Sequence, residues 1–298
     1  MAENGYAWDR MSPQPRTLNF HHMQRRFNRA AATFDGVDFV HRETCDSLMD
    51  RLRPMVIDVK RILDLGGATG SASRPLCKHF KRSRVINLDA SHEMLRAAEK
   101  KQSWFSRVST LQCNALAVPL QDGCIDLAFS NLLLPWIDDL HGMFVEVGRV
   151  LRKGGLFVFS TLGPDSLSEL REAWSSVDSG QHVNIFVDMH DVGDGLARAG
   201  LRDPVLDTDF LTVSYRDTES LFRDLTLLGA RNCLHGRSKA LTGKGRFHDM
   251  EDRLRSRFTD GILELKLELV YGHAWGAGPL RPAGEYRFDA TDIGRRRT

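Results

Sequence analysis

One segment constrains this chain more than any other: RILDLGGATGSASRPL at residues 61–76, followed by VINLD at 85–89. An apolar run of strand length passes into a loop of small residues, then a helical stretch, then a second apolar run closed by an acid. Small residues let the backbone turn sharply and come close to a ligand, which side chains would block. Further apolar runs stand at 108–113, 125–131 and 156–161, after the two at 61–65 and 84–89. Helical stretches at 71–81, 91–103 and 137–151 separate them. Strands alternating with helices predict a parallel sheet with helices on both faces. The last of these helices is expected to stop at a turn made by Lys153-Gly154-Gly155.

The loop alone does not choose between ligands, but two carboxylates do. Asp89 closes the second strand about 25 residues beyond Asp64, where a carboxylate accepts hydrogen bonds from ribose hydroxyls in a Rossmann-like site. Asp64 lies two residues ahead of the first glycine. A carboxylate there suits a cationic amino group and is awkward beside a pyrophosphate. S-adenosylmethionine carries an amino group and no phosphate, whereas NAD has the reverse, so the order Asp-x-Gly-x-x-x-Gly favours the methyl donor.

The rest of the chain is less regular. Residues 1–20 are polar, hold Pro13 and Pro15, and are expected to be a loose tail. The spacing of Phe27, Ala30, Ala31 and Phe34 predicts an amphipathic helix, with a second helix following before residue 53. Beyond residue 160 a helix is expected at 188–199, a strand at 210–215, a helix at 217–228 and a long strand at 262–275. Residues 231–258 are basic and weakly periodic. With 298 residues, 42% hydrophobic and 27% charged, the chain reads as a folded protein of one large α/β domain. A formal charge of +2 argues against nucleic acid or an anionic membrane as the main partner. The apolar runs are too short to span a membrane, and the first residues lack the order of a secretory signal. The five cysteines show neither a CxxC pair nor a His-Cys cluster, so no metal site is expected and a reducing compartment, the cytoplasm, fits best.

Residues 61–161 resemble the class I S-adenosylmethionine-dependent methyltransferase superfamily. The resemblance implies a Rossmann-like class I methyltransferase fold: α/β, with a mostly parallel seven-stranded sheet, helices on both faces and a helical N-terminal lid. DLGGATG is similar to the first motif, with Ala68 where a glycine is usual, and implies that Asp64, Gly66, Gly67, Ala68 and Gly70 cradle the donor. LDASHEML resembles the second motif, so Asp89 and Ala90 are expected at the ribose and Met94 against adenine, with core packing the other reading of Met94. CNALAVPL resembles the adenine-edge segment, where Asn114, in place of the usual Asp, and Ala115 are expected. In SNLLLPW, Ser130 and Asn131 are expected to face the donor and Trp136 the acceptor pocket.

Superfamily motifs name the donor and not the acceptor. FNRAAATFD, TLGPDSLSELREAW, HVNIFVDMHDVGDGLARAGLRDPVLD and the terminal VYGHAW resemble the malonyl-acyl-carrier-protein O-methyltransferase family of biotin synthesis, over nearly all of residues 24–276. This implies esterification of the free carboxylate of a malonyl thioester on an acidic acyl-carrier protein, with malonyl-CoA the other carrier. An ionised carboxylate is already a nucleophile, so no general base is nominated. Arg29 and Arg231 are the candidates to hold it, since bidentate arginine suits a carboxylate. Phe34, expected at the acceptor pocket, stands where the family usually has Tyr, and Pro135 replaces a polar residue before Trp136. The expected organisation is a tail at 1–20, one domain at 21–276 and a tail at 277–298. Within the domain, 21–55 is the lid, 56–161 the donor-binding core and 162–276 the acceptor half with a basic insertion at 231–258. That insertion sets Arg231, Arg237, Lys239, Lys244, Arg246, Arg253, Arg255 and Arg257 against Asp249, Glu251 and Asp252. It is either a docking face for the carrier or a solvated helix face, and Arg25, Arg26 and Arg29 would extend it. His182, His190 and His273 are read as structural before catalytic. Three alternatives stay open: a methyltransferase for another small acceptor such as a quinone precursor; a protein-modifying homologue like the mitochondrial complex I assembly factor; and a non-catalytic partner that keeps the fold.

Overall fold

The computed structural model describes residues 18–103, 106–238, 240 and 242–278. Five strands form the parallel half of the sheet: β1 (Arg61–Leu65), β2 (Arg84–Asp89), β3 (Val108–Gln112), β4 (Ile125–Asn131) and β5 (Leu151–Leu162). Two more follow, β6 (Arg202–Tyr215) and β7 (Leu263–Trp275), giving the order β3-β2-β1-β4-β5-β7-β6. β7 runs antiparallel to both β5 and β6 and is the one reversed strand. The expected seven-stranded, mostly parallel sheet is therefore present.

Helices α1 (Phe20–Ala30) and α2 (Phe39–Leu52) precede the sheet. α3 (Ser73–His79), α4 (His92–Lys100) and α5 (Leu140–Val150) connect its parallel strands. α6 (Ser168–Ser175), α7 (Met189–Arg198), α8 (Thr218–Leu227) and α9 (Lys244–Arg255) complete the set. Several starts are written locally. Asn19, Ser91, Asp139, Asp188 and Asp217 each cap a helix by accepting a backbone N–H of its first turn, as short polar side chains do.

Alternate residues of one strand serve opposite faces. Leu127, Phe129, Leu156 and Val158 pack with Leu48, Leu52 and Leu76 from α2 and α3. Ala128, Phe157 and Phe159 pack with Phe144 and Leu196 from α5 and α7. A small cluster of Ala30, Ala31, Phe34, Met94 and Leu228 ties the N-terminal segment to α4 and the end of α8.

Two expectations need correction. α5 ends at Val150 and β5 begins at once, so Lys153-Gly154-Gly155 lies inside the strand. Leu151 pairs with Ile125 and Leu156 with Leu127, so the tripeptide is a bulge, with Gly154 at φ +71°. β6 starts eight residues before the expected 210 because it is an edge strand, mostly exposed and rich in charge. The expected tails at 1–20 and 277–298 fall largely outside the described residues. Of the first, Leu18 bridges to Leu234, Asn19 N donates to the Cys233 carbonyl (2.8 Å), and α1 has begun by Phe20. Among the described residues no helix is long and apolar enough to cross a membrane.

Candidate functional site

The chain winds outward in both directions from β1 and β4, and crevices of such sheets open where the strand order reverses, at the carboxyl ends of the strands. There β1 gives way to the glycine loop. Gly66 N and Gly67 N both donate to the Leu88 carbonyl, at 2.7 and 3.1 Å. A Cβ on Gly67 would lie 2.4 Å from Asn87 Oδ1 and 2.7 Å from Asp64 Oδ2, so no side chain fits. Ala68 sits at φ +45°. Its N–H donates to Asp89 Oδ2 (3.0 Å) and its carbonyl accepts from Asn87 Nδ2 (3.2 Å). β2 thus moulds the loop from behind.

Asp89 also accepts from Ser91 N through Oδ1 (2.7 Å). The backbone N–H groups of Ala68, Ser91 and Ala90 face the carboxylate, which keeps lone-pair capacity toward the cavity. Burial pushes the Asp89 pKa up to about 6, against the pull of those N–H groups. Asp64 is fully buried beneath the loop, one oxygen accepting from Ser73 Oγ (2.6 Å) and the other without a partner. Burial pushes its pKa up to about 7.

A cavity of about 720 Å³, including its open mouth, lies over the loop. Of the expected donor residues, Gly66, Ala68, Asp89, Ala90, Met94, Asn114, Ala115 and Asn131 line it. Asp64, Gly67, Gly70 and Ser130 do not; they stand behind the wall. Met94 does both things read from the sequence, being 1% exposed in the core and part of the cavity wall. Asn114 Oδ1 already accepts from Leu116 N (3.0 Å), so one lone pair remains for a ligand. The roof comes from α1. Gln24 Nε2 donates to the Ala90 carbonyl (2.7 Å), and Asn28 Oδ1 accepts from Ser91 Oγ (2.7 Å). Sequence reading missed Gln24 and Asn28, for neither residue type signals a site.

A second cavity, about 870 Å³ with its opening, adjoins the first. Its walls are mainly apolar, with Phe39, Val40, Leu162, Phe186, Val213, Leu221 and Leu267 among them. Four side chains line both spaces: Phe27, His41, Leu132 and Trp136. Trp136 stands on a 3-10 turn after β4, edge-on to Phe27 at 5.0 Å. Leu132 is held at φ +55°, a strained conformation for a branched side chain, with its N–H on Ser160 Oγ (3.1 Å).

His41 was not singled out in the sequence, where one histidine in an amphipathic stretch carries no signal. Its carbonyl accepts from Asn131 Nδ2 (2.7 Å) and its ring meets the buried Phe34 edge-on at 5.0 Å. Nδ1 is shut off from solvent and has no partner. Burial pulls the His41 pKa down to about 4, so the ring is neutral at pH 7.

Of the residues expected at the acceptor, Trp136 lines both cavities, Phe34 lines the first cavity and not the second, and Arg29 and Arg231 line neither. Both arginines are exposed, because they extend from the outer side of α1 and from a surface loop. His182 stacks on Trp174 at 3.8 Å and bonds Asp178 (2.7 Å), and His190 bonds Asp188 at the start of α7 (2.8 Å). Neither these two nor His273 lines either of the two cavities. Among the described residues no group of His, Cys, Asp or Glu is placed to hold a metal.

A family model described as a methyltransferase domain matches residues 63–159. The chain is 38% identical over 264 residues to the malonyl-[acyl-carrier protein] O-methyltransferase of Gallionella capsiferriformans, covering 86% of this chain and 91% of that one. It is 40% identical over 277 residues to the enzyme of the same name from Laribacter hongkongensis, covering 89% and 91%. In fold it is similar to the YcgJ protein of Bacillus subtilis, with a TM-score of 0.57 at 14% identity over 78% of this chain and 98% of that one.

Proposed function

The chain belongs to the malonyl-[acyl-carrier protein] O-methyltransferase family, and we propose from its two cavities how it performs that reaction. It is an S-adenosylmethionine-dependent methyltransferase that esterifies the free carboxylate of a malonyl thioester on acyl-carrier protein, in the synthesis of biotin. The observation that carries the mechanism is the shared wall. A cavity with a glycine loop and a carboxylate meets an apolar cavity across Phe27, His41, Leu132 and Trp136.

The residues of the first cavity fit the donor. Asp89 offers an acceptor on each oxygen for the two ribose hydroxyls, the loop presents Gly66 and Ala68 to the cavity, and Met94 and Ala115 give apolar surface for the adenine ring. Asp64 is read as acting from beneath the loop, its spare oxygen drawing positive charge toward the first strand. When bound, the donor supplies an electrophilic methyl group on a sulfonium.

The chain's own part is positioning. A malonyl carboxylate is ionised near neutral pH, so no side chain has to remove a proton. The apolar second cavity takes water from that carboxylate, and the shared wall fixes the line of approach. Phe27 and Leu132 have no polar side-chain atom. His41, neutral and unpaired, and the indole N–H of Trp136 are the donors left to hold the carboxylate, in place of Arg29 and Arg231. Tyr215 and Asp224 line the second cavity but bond each other.

We read residues 21–276 as one domain in which 21–55 is a lid over a donor core at 56–161, with the acceptor half at 162–276. Support for the lid is that α1 covers the donor cavity, held there by Gln24, Asn28 and a small apolar cluster, while α2 is anchored in the core through Leu48 and Leu52. An acidic carrier protein is the favoured partner, with malonyl-CoA the alternative. Five unpaired cysteines favour the cytoplasm.

Mass spectrometry of malonyl-carrier protein incubated with enzyme and donor tests this reading. A gain of one CH2 unit is expected. Donor binding in calorimetry without that gain would remove the acceptor; no donor binding would remove the whole mechanism.

A further inference from the structure

Most arginines of α9 and its flank are paired within the fold, Arg253 being the exception, whereas those of α1 and of the 231–237 loop are not. On α9 and its flank, Arg246 meets Asp178 (3.5 Å), Arg255 meets Glu251 (3.5 Å) and Arg257 bonds Glu172. Arg25, Arg26, Arg29, Arg231 and Arg237 pair with no carboxylate among the described residues. Three of these gather where α1 lies against the loop at 231–237. Asn19 N bonds the Cys233 carbonyl (2.8 Å), and Leu18 bridges to Leu234. Arg237 Nη2 lies 3.3 Å from a ring nitrogen of His22, one helical turn before Arg26. Arg26 itself reaches the Cys233 thiol, and its Nη1 is shut off from solvent with no partner. Burial, Arg237 and Arg231 together draw the Arg26 pKa down. Asp138, the acid that reaches this place, accepts from Leu18 N (2.7 Å).

Like charges gathered around a desolvated guanidinium call for an anion. The place says which. Arg26 precedes Phe27 and Arg231 follows Ala230, both lining the second cavity. Cys233 N donates to Asn184 Oδ1 (3.1 Å), and Asn184 lines that cavity too. On another flank, the groove that shares Tyr215 and Asp224 with the same cavity carries Glu43, Asp217 and Asp224 against Arg216. An anionic acceptor is drawn to the first flank and repelled from the second.

We propose that Arg26, Arg231 and Arg237 form a phosphate-binding site at the rim of the acceptor cavity, which seats the phosphodiester joining the carrier protein's pantetheine arm to its serine. The assignment rests on the carrier-bound acceptor proposed above. Arg246, Arg255 and Arg257 are, by contrast, spent on carboxylates within the fold.

The test compares phosphopantetheine with pantetheine, neither of them acylated, in calorimetry on the intact enzyme saturated with S-adenosylhomocysteine. Phosphopantetheine is expected to bind the wild type at least about tenfold more tightly, as charge-assisted contacts to one phosphate allow. In Arg231→Gln/Arg237→Gln that preference falls toward one, with the S-adenosylhomocysteine affinity kept as evidence of folding. Arg26→Gln is the second variant, and inorganic phosphate should raise the melting temperature of the wild type more than that of this variant. Equal binding of the two arms by the wild type overturns the proposal, as does a preference that survives in both variants. Variants that weaken whole carrier protein while keeping the phosphopantetheine preference also overturn it, and assign the arginines to the carrier's surface instead. Because no methyl transfer is read, failure here is separate from absence of the CH2 gain on malonyl-carrier protein.

Discussion

The two cavities share a wall but are built in different ways. The donor cavity draws most of its floor from one stretch, residues 66–133, at the carboxyl ends of four neighbouring parallel strands. Main-chain hydrogen bonds hold it: Gly66 and Gly67 to Leu88, Ala68 to Asp89. The acceptor cavity takes walls from α1, α2, the turn after β4, β5, the 184–186 segment, β6, α8 and β7. Side-chain packing holds that one. A site shaped by backbone geometry should fail sharply at the few side chains that touch the ligand. A site shaped by packing should yield gradually, and in selectivity before donor binding.

The sharpest way to break this contrast is Asp89→Ala. Two charge-assisted hydrogen bonds to the ribose at about 1.5 kcal/mol each amount to about a hundredfold in affinity for S-adenosylhomocysteine by calorimetry. The two backbone N–H groups left unpaired add to the loss. Affinity close to wild type would mean that another group reads the ribose, and that the backbone frame does not depend on this carboxylate.

His41→Phe is the matching experiment on the other side. The ring keeps its edge contact with Phe34 but loses both nitrogens. One hydrogen bond to an ionised carboxylate is worth about 1.5–3 kcal/mol, so KM for the malonyl acceptor should rise about tenfold or more. Donor affinity should stay, and His41→Gln should recover part of the loss. If KM holds and only stability falls, His41 is packing and Trp136 is left to hold the carboxylate.

These two residues also mark how far the sequence could be read. Asp89 was legible because a parallel strand buried on both faces is a continuous apolar run, and an acid at its end stands out. β1, β2 and β4 have the bounds their apolar runs predict. β6 was half hidden because an edge strand exposes much of its length, and Asp203, Asp207 and Asp209 break its pattern. His41 was invisible for another reason. Its meaning arises only when α2 brings it against Phe34 and Asn131, far away in the chain. The same limit left Arg29 and Arg231, the residues read as holding the carboxylate, outside both cavities. Counting charge along 231–257 finds the cations but cannot tell that Arg246, Arg255 and Arg257 meet carboxylates and that Arg231 and Arg237, beside α1, do not.

A third prediction uses pH to separate the cavities. Burial raises Asp89 to about 6 and Asp64 to about 7, against 3.8 for a free Asp. Both hold protons in the folded state that the unfolded chain has already lost. Their contribution to stability therefore declines as pH rises from about 4 through 7, and the ligand-free protein should melt progressively lower across that window from these groups. Donor binding has the opposite sign. Ribose hydroxyls favour ionised Asp89, so affinity for S-adenosylhomocysteine should drop several-fold from pH 7 to pH 5, with protons released on binding near pH 6. Acceptor affinity from His41 should be level there, since that ring stays neutral down to about 4. Donor affinity that is flat with pH would place Asp89 outside the ribose contact.

The smallest effect is expected at Ala68, and it tests the backbone half of the contrast most directly. Ala68 occupies left-handed space at φ +45°, which disfavours an L residue by about 1–2 kcal/mol. Ala68→Gly removes that strain, but glycine has more freedom to lose on folding, by roughly 0.5–1 kcal/mol. The methyl group also packs against the small cluster around Phe34 and Met94, and its loss offsets part of what remains. The net change in stability should stay within about 1 kcal/mol. Donor affinity should not move, because the loop's contacts to Asp89 and Asn87 are made by the N–H and carbonyl of residue 68 and not by its side chain. A large gain in donor affinity from the glycine would show that alanine distorts the loop. The departure from the family's first motif would then be a real handicap, where main-chain bonding predicts a neutral one.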